Sequence, residues 1–237
     1  MELKDLKLQA LGLANGGLGR ILTIVDFGNV NYWYKKDRIG PDAAPLFPNQ
    51  YLIVDLERLF NFIKDFSYQA RFYYGWHSRL SRSQHIVIKA EKLGFIKNTK
   101  RIQYVKHYLS ADEIVDGHKQ ILNNETGRYI EIPKCNFDVE ITLDSIRLMD
   151  EYDTLCLFSG DSDFARLAHY IKKKGKKFVV VASGQIYHEL KTTSDVYINA
   201  QQVKSYIVSV KETSPLAGRS LNIGSASGGQ GGVTLRT

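Results

Sequence analysis

The 237-residue chain is short of several things, and each shortage removes a class of protein. It has only two cysteines, Cys135 and Cys156, far apart and both in apolar or strand-like settings. That spacing makes neither a disulfide framework nor a thiolate zinc site, and with no secretory leader pattern it predicts a cytoplasmic protein. No uninterrupted apolar run approaches the ~20 residues of a membrane helix, so no membrane partner is expected. Acidic residues are in deficit, 25 Asp and Glu against 32 Lys and Arg, for a net charge of +7. A polyanion such as nucleic acid is therefore a reasonable partner, although basicity alone is weak evidence. Of the five prolines, Pro41, Pro45 and Pro48 crowd into one stretch, leaving the rest of the chain open to regular structure.

With 43% hydrophobic residues the chain can bury one sizeable core. The most informative stretch is Phe158 to Phe164, Phe-Ser-Gly-Asp-Ser-Asp-Phe. Before it, Thr154 to Phe158 is a continuous apolar run, as in a strand buried on both faces. After it, Phe164, Leu167, Ala168 and Ile171 mark one face of a helix. Asp161 and Asp163 thus fall at the carboxyl edge of a buried strand, where open α/β sheets take their ligands. A lone Asp-x-Asp there is more often a helix cap. The same pattern recurs, however, after Ile21 to Val25, with Asp26 at the strand end and Asn29 on the turn. Two such turns favour a shared acidic cleft over simple turn chemistry.

Residues 1–19 read as an extension with a glycine-rich hinge. Tyr32 to Gln50 reads as an irregular loop suited to a cleft cover or a homodimer contact, and Leu52 to Phe66 as a helix. Ala70 to Trp76 is a second strand, whose end carries Trp76 and Arg79, groups able to stack on bases or meet phosphates. Ser81 to Leu93 is helical, 99–109 and 127–132 are exposed strands that can pair, and Asp138 to Met149 is a helix. On that helix Asp144 is turned about 120° from Asp138, so both reach one cleft only if Asp138 sits at the cap. Lys134 lies where it can neutralise the carboxylates or hold a phosphate. A lysine-rich helix end leads to a strand over Phe178 to Ala182, a last strand ends at Ile198, and Ala200 to Val210 reads as a helix. The Gly/Ser-rich segment over 208–237 is expected to be disordered.

Three motifs in order, Asp26-x-x-Asn29, then Lys134 with Asp138 and Asp144, then Ser159-Gly-Asp161-Ser162-Asp163-Phe164, resemble the NYN domain. The resemblance covers about residues 20–207 and is nearest the LabA-like subgroup, which is related to PIN-domain nucleases. One departure is Lys-Cys-Asn-Phe-Asp in place of a shorter Lys-Gly-x-Asp loop before Asp138. The resemblance implies a three-layer α/β/α sandwich with a mostly parallel central sheet and metal-dependent cleavage of RNA. It further implies Mg²⁺ or Mn²⁺ on Asp26, Asp138, Asp161 and Asp163, with Asn29 and Asp144 completing the catalytic set. Lys134, Ser159, Ser162, Trp76 and Arg79 are the expected RNA contacts. Two other classes remain open: a catalytically weak RNA-binding module of the same fold, and a Mg²⁺-dependent phosphatase. Against the phosphatase, Gly28 stands where a second Asp would pair with Asp26.

Overall fold

In the computed structural model, residues 3–14, 17–77, 81–110, 120–184 and 186–213 are described. The chain runs α1 (Leu3–Ala10), β1 (Ile21–Asp26), α2 (Phe27–Val30), β2 (Gln50–Val54), α3 (Leu56–Lys64), β3 (Gln69–Trp76) and α4 (Ser81–Leu93). It continues with β4 (Ile96–Arg101), β5 (Gln103–Tyr108), β6 (Leu122–Asn124), β7 (Gly127–Lys134) and α5 (Asp138–Arg147). Then follow β8 (Thr154–Phe158), α6 (Ala165–Lys173), β9 (Lys177–Ala182), α7 (His188–Thr193), β10 (Val196–Asn199), α8 (Ala200–Ile207) and β11 (Val208–Glu212).

Six strands form one sheet in the order β10-β9-β8-β1-β3-β4, every neighbouring pair parallel. The chain builds outward from β1 to β3 and β4, then returns across β1 to build β8, β9 and β10 on the other side. Its topological switch therefore falls at the carboxyl end of β1, the place where doubly wound sheets bind ligands.

Parallel strands covered on both faces read as continuous apolar runs, and β8 is buried at every position. Alternation still divides the two faces. Ile21, Val25, Cys156 and Phe158 pack with α3, α4 and α8, whereas Leu22, Ile24, Leu155 and Leu157 pack with α5, α6 and α7. The result is the α/β/α sandwich expected. Local signals agree with it: the Asp55 carboxylate caps α3 by accepting from the Glu57 and Arg58 amides, and Asn199 with Gln202 closes a capping box on α8.

Three expectations are corrected. Leu52 to Phe66 is not one helix, because Gln50–Val54 pairs antiparallel with β11, which in turn takes Val208–Glu212 out of the helix expected over Ala200 to Val210. These two short runs lie about 150 residues apart, so neither reveals its partner locally. The strand expected over 99–109 breaks at Ile102: its first part is the edge strand β4, and the second pairs with β7 in a separate antiparallel sheet of order β5-β7-β6. Within the segment read as an extension, Leu3–Ala10 forms a helix whose Leu8, with Leu11, Leu13 and Leu18 beyond it, joins the main core. Residues 214–237, most of the tail expected to be disordered, lie outside the described residues.

Because Leu8 is only 7% exposed, Leu8→Ala is expected to lower stability by about 2–4 kcal/mol in chemical denaturation. A loss under half a kcal/mol, roughly a surface value, would mean that the segment does not contribute to the core.

Candidate functional site

Asp26 is the last residue of the central strand and the N-cap of the one-turn helix α2, where its carboxylate accepts the Asn29 amide at 3.4 Å. Its other oxygen accepts the Ser159 hydroxyl at 3.0 Å, and the same hydroxyl oxygen accepts the Asp161 amide at 3.3 Å. Ser159 is fully buried. It therefore ties the ends of β1 and β8 together rather than facing solvent. Asn29 does the same from the other side, since its Oδ1 accepts the Trp33 indole at 2.8 Å and the Gly160 amide at 3.3 Å. Trp33 is in turn stacked on Phe158, with ring centroids 6.1 Å apart and planes 13° from parallel. At position 28 only a glycine leaves Asp26 undisturbed: a Cβ there would lie 3.3 Å from its Oδ1.

Burial is the largest influence on the Asp26 carboxyl and pushes it up to about 6. The Ser159 and Asn29 hydrogen bonds oppose that rise, while the charges of Asp138 and Asp161 add to it. Asp138, on the first turn of α5, is also raised by burial. The Asn136 side chain, which bonds it at 2.6 Å, and Lys100 lower it; Asp161 and Asp163 raise it. Asp161 caps the short turn Ser162–Phe164 by accepting the Asp163 amide at 3.0 Å, and Ser162 and Asp163 are exposed at the rim. Asp26, Asp138, Asp161 and Asp163 thus share one electrostatic neighbourhood.

Asp144 is held elsewhere. Its carboxylate accepts the Tyr73 hydroxyl at 2.6 Å and pairs with Arg71 at 3.2 Å, and neither Asp26 nor Asp138 feels its charge among their main influences. It anchors α5 to β3. Trp76 is half-buried at the end of β3, and Arg79 lies outside the described residues. Lys134 is exposed at the end of β7. The cation that does bear on Asp138 is Lys100 on β4, which pairs with Glu140 at 2.7 Å and sits 4.7 Å above the Phe137 ring. Sequence reasoning missed Lys100, Arg71 and Tyr73, because strand register, not spacing, brings them to α5.

The donors here are carboxylate oxygens, which suit hard divalent cations. Among the described residues no three acidic, histidine or cysteine side chains already converge as a metal cage. Such a set fits an ion held by one or two carboxylates with its other positions left to water or phosphate, the usual habit of Mg²⁺.

An α/β/α sandwich on a parallel central sheet, with carboxylates at the sheet's switch point, is consistent with the PIN-like class of fold. Within that class the chain belongs to the family of the NYN domain, whose profile matches residues 20–207. Over 89 residues it is 34% identical to the low amplitude and bright protein LabA of Synechococcus elongatus, covering 37% of this chain and 47% of that protein. The aligned part is thus about half of the curated relative. A crystal structure of a protein of unknown function from Vibrio parahaemolyticus shares the fold, with a TM-score of 0.52 and 19% identity over 78% of this chain and 94% of that one. The family is of PIN-like nuclease type. Among the described residues no helix is long and apolar enough to cross a membrane.

The sign of the pH dependence follows from Asp26. An unfolded aspartate loses its proton near pH 3.8, the folded one at about 6, so between these values the native state binds more protons and stability falls as pH rises. The loss across that window is on the order of 2–3 kcal/mol. Asp26→Asn should flatten this part of the profile in denaturant titrations from about pH 4 to 7. An unchanged slope in the variant would assign the effect to other groups.

Proposed function

We propose that the chain is a metal-dependent ribonuclease that hydrolyses RNA phosphodiester bonds in the acidic cleft, with Mg²⁺ or Mn²⁺ as cofactor. The observation that carries this reading is the half-buried Asp26 carboxyl at the sheet's switch point, made more costly to ionise by desolvation and by Asp138 and Asp161. Placing like charges around a partly desolvated acid destabilises the protein by itself, and a divalent cation offsets that cost. When bound, such an ion supplies an activated water and stabilises charge on the leaving oxygen.

The residues of the chain then divide the remaining work. Asp26, with Asp138 or Asp161 beside it, would hold the cation directly, and the remaining carboxylates, Asp163 at the rim among them, would bear on it through water. Ser159 and Asn29 act by fixing Asp26 and the loop after β8. Ser162, exposed on that loop, and Lys134, exposed at the end of β7, would meet phosphate oxygens. Asp144 serves by holding α5, and with it Asp138, against β3. Work in a reducing cytoplasm accords with the two free cysteines, Cys135 half-buried and Cys156 fully buried.

A second reading, an RNA-binding module of weak activity, draws on the openness of the carboxylate set, in which no three described acidic groups converge. One experiment separates the two. Wild type and Asp161→Asn are incubated with end-labelled single-stranded and structured RNA in Mn²⁺, Mg²⁺ or EDTA. The nuclease reading expects cutting that needs metal and falls at least about 100-fold in the variant, as for loss of a group acting in the transition state. RNA retained without cutting in any metal would give the binding module first place.

A further inference from the structure

The loop after α2, the strand β2, the ends of β3 and β4, the start of β5 and the start of α4 line a pocket that none of the expected catalytic residues lines. Its aromatic walls are Tyr32, Tyr51, Tyr74 and Tyr104, and its cations are Lys35 and Arg82. Among the described residues no acidic side chain lines it. It is therefore the chemical opposite of the cleft beside it.

The two are joined by packing. Tyr74 follows Tyr73, which lies level with Asp26 across the β1–β3 pairing. The Tyr74 ring meets Phe27, the residue after Asp26, edge-on at 5.2 Å. Burial raises the Tyr74 hydroxyl, Tyr32 raises it further and Arg82 lowers it, so the three lie close to one another in the pocket. At the mouth the rings are open: Tyr32 is 60% exposed, Tyr104 40% and Tyr51 39%. Lys35 lies 5.6 Å above Tyr32, and Tyr104 meets the His77 ring at 5.2 Å.

A protein gains nothing by leaving three large rings in water together, and such a group marks a contact surface. Several tyrosines with Lys and Arg and without acids match a flat, uncharged ring attached to a phosphate. Aromatic faces stack on any base, and the cations meet its backbone. Within a duplex the base faces are already stacked on one another.

We propose that this pocket is a base-binding subsite for single-stranded RNA, seating an unstacked nucleobase on the exposed tyrosines so that the adjoining phosphate is led toward the acidic cleft. The assignment rests on the reading of that cleft as the place where RNA is cut. It makes the enzyme selective for unpaired RNA and locates the selectivity on the β3–β4 side of the sheet, away from the carboxylates.

The test reads binding, not cleavage, so that it can fail separately from the nuclease reading. A fluorescent single-stranded oligoribonucleotide and the corresponding blunt duplex are titrated in EDTA with wild type, Tyr32→Ala, Tyr104→Ala and the matching Phe variants. Each Ala variant is expected to weaken single-strand binding by about 5- to 100-fold, the range for losing one stacked base. The Phe variants keep wild-type binding and duplex affinity does not change. Both alanine sites are exposed, and unaltered thermal melting verifies that each variant is folded. Wild-type binding by the Ala variants would overturn the proposal, as would an equal loss for the duplex, which would make the patch a backbone or protein contact. Loss of single-strand affinity in the Ala variants of a protein that never cuts RNA would uphold the subsite and overturn the nuclease reading.

Discussion

A carboxylate at the end of a buried central strand sets the terms for everything around it. Asp26 cannot move outward, because β1 is pinned between β8 and β3 on both sides. It cannot be left without partners either, since an ion withdrawn from water costs several kcal/mol unless it is bonded or paired. The surrounding loops answer with two hydrogen bonds, from the Ser159 hydroxyl and the Asn29 amide, and with no basic partner among the main influences on it. The unmet part of the cost is what makes a cation at this place physically favourable.

Charge is sorted across the molecule rather than spread over it. Although the chain carries a net +7, acids gather at the switch point, and Asp144 is withdrawn from them by Arg71 and Tyr73. That withdrawal has a use. It locks the middle of α5 to β3, and the first turn of the same helix carries Asp138. A side chain too far round the helix to join the cluster thereby holds in place one that does. Glu140 and Lys100 add a second tie between α5 and the sheet, on β4. Tyrosines and cations without acids then occupy the neighbouring pocket, next to the cleft but electrostatically apart from it.

Much of this could be read from the chain, for identifiable reasons. Buried parallel strands require unbroken apolar runs, so Ile21 to Val25, Thr154 to Phe158 and Phe178 to Ala182 announced themselves, and the polar residues that follow each run had to lie on one edge of the sheet. The antiparallel pairs were harder. Leu52, Ile53 and Val54 look like the start of the helix that follows them, and only Val208 and Val210, far along the chain, make them a strand. The leucines of residues 1–19 gave no sign of their destination either, since an amphipathic segment reads alike whether it covers its own core or a partner's.

The sequence by itself determined the α/β alternation and the family, and it identified which carboxylates stand at strand ends, because local periodicity and chain order depend only on neighbouring residues. Tertiary structure alone decided which acids meet. Asp26, Asp138, Asp161 and Asp163 come to share one electrostatic neighbourhood while Asp144 is claimed by Arg71 and Tyr73, and Tyr32, Tyr51, Tyr74 and Tyr104 gather into one pocket. Those outcomes depend on strand order and register, which are set by packing between segments dozens of residues apart and leave no mark on the spacing of the residues they unite.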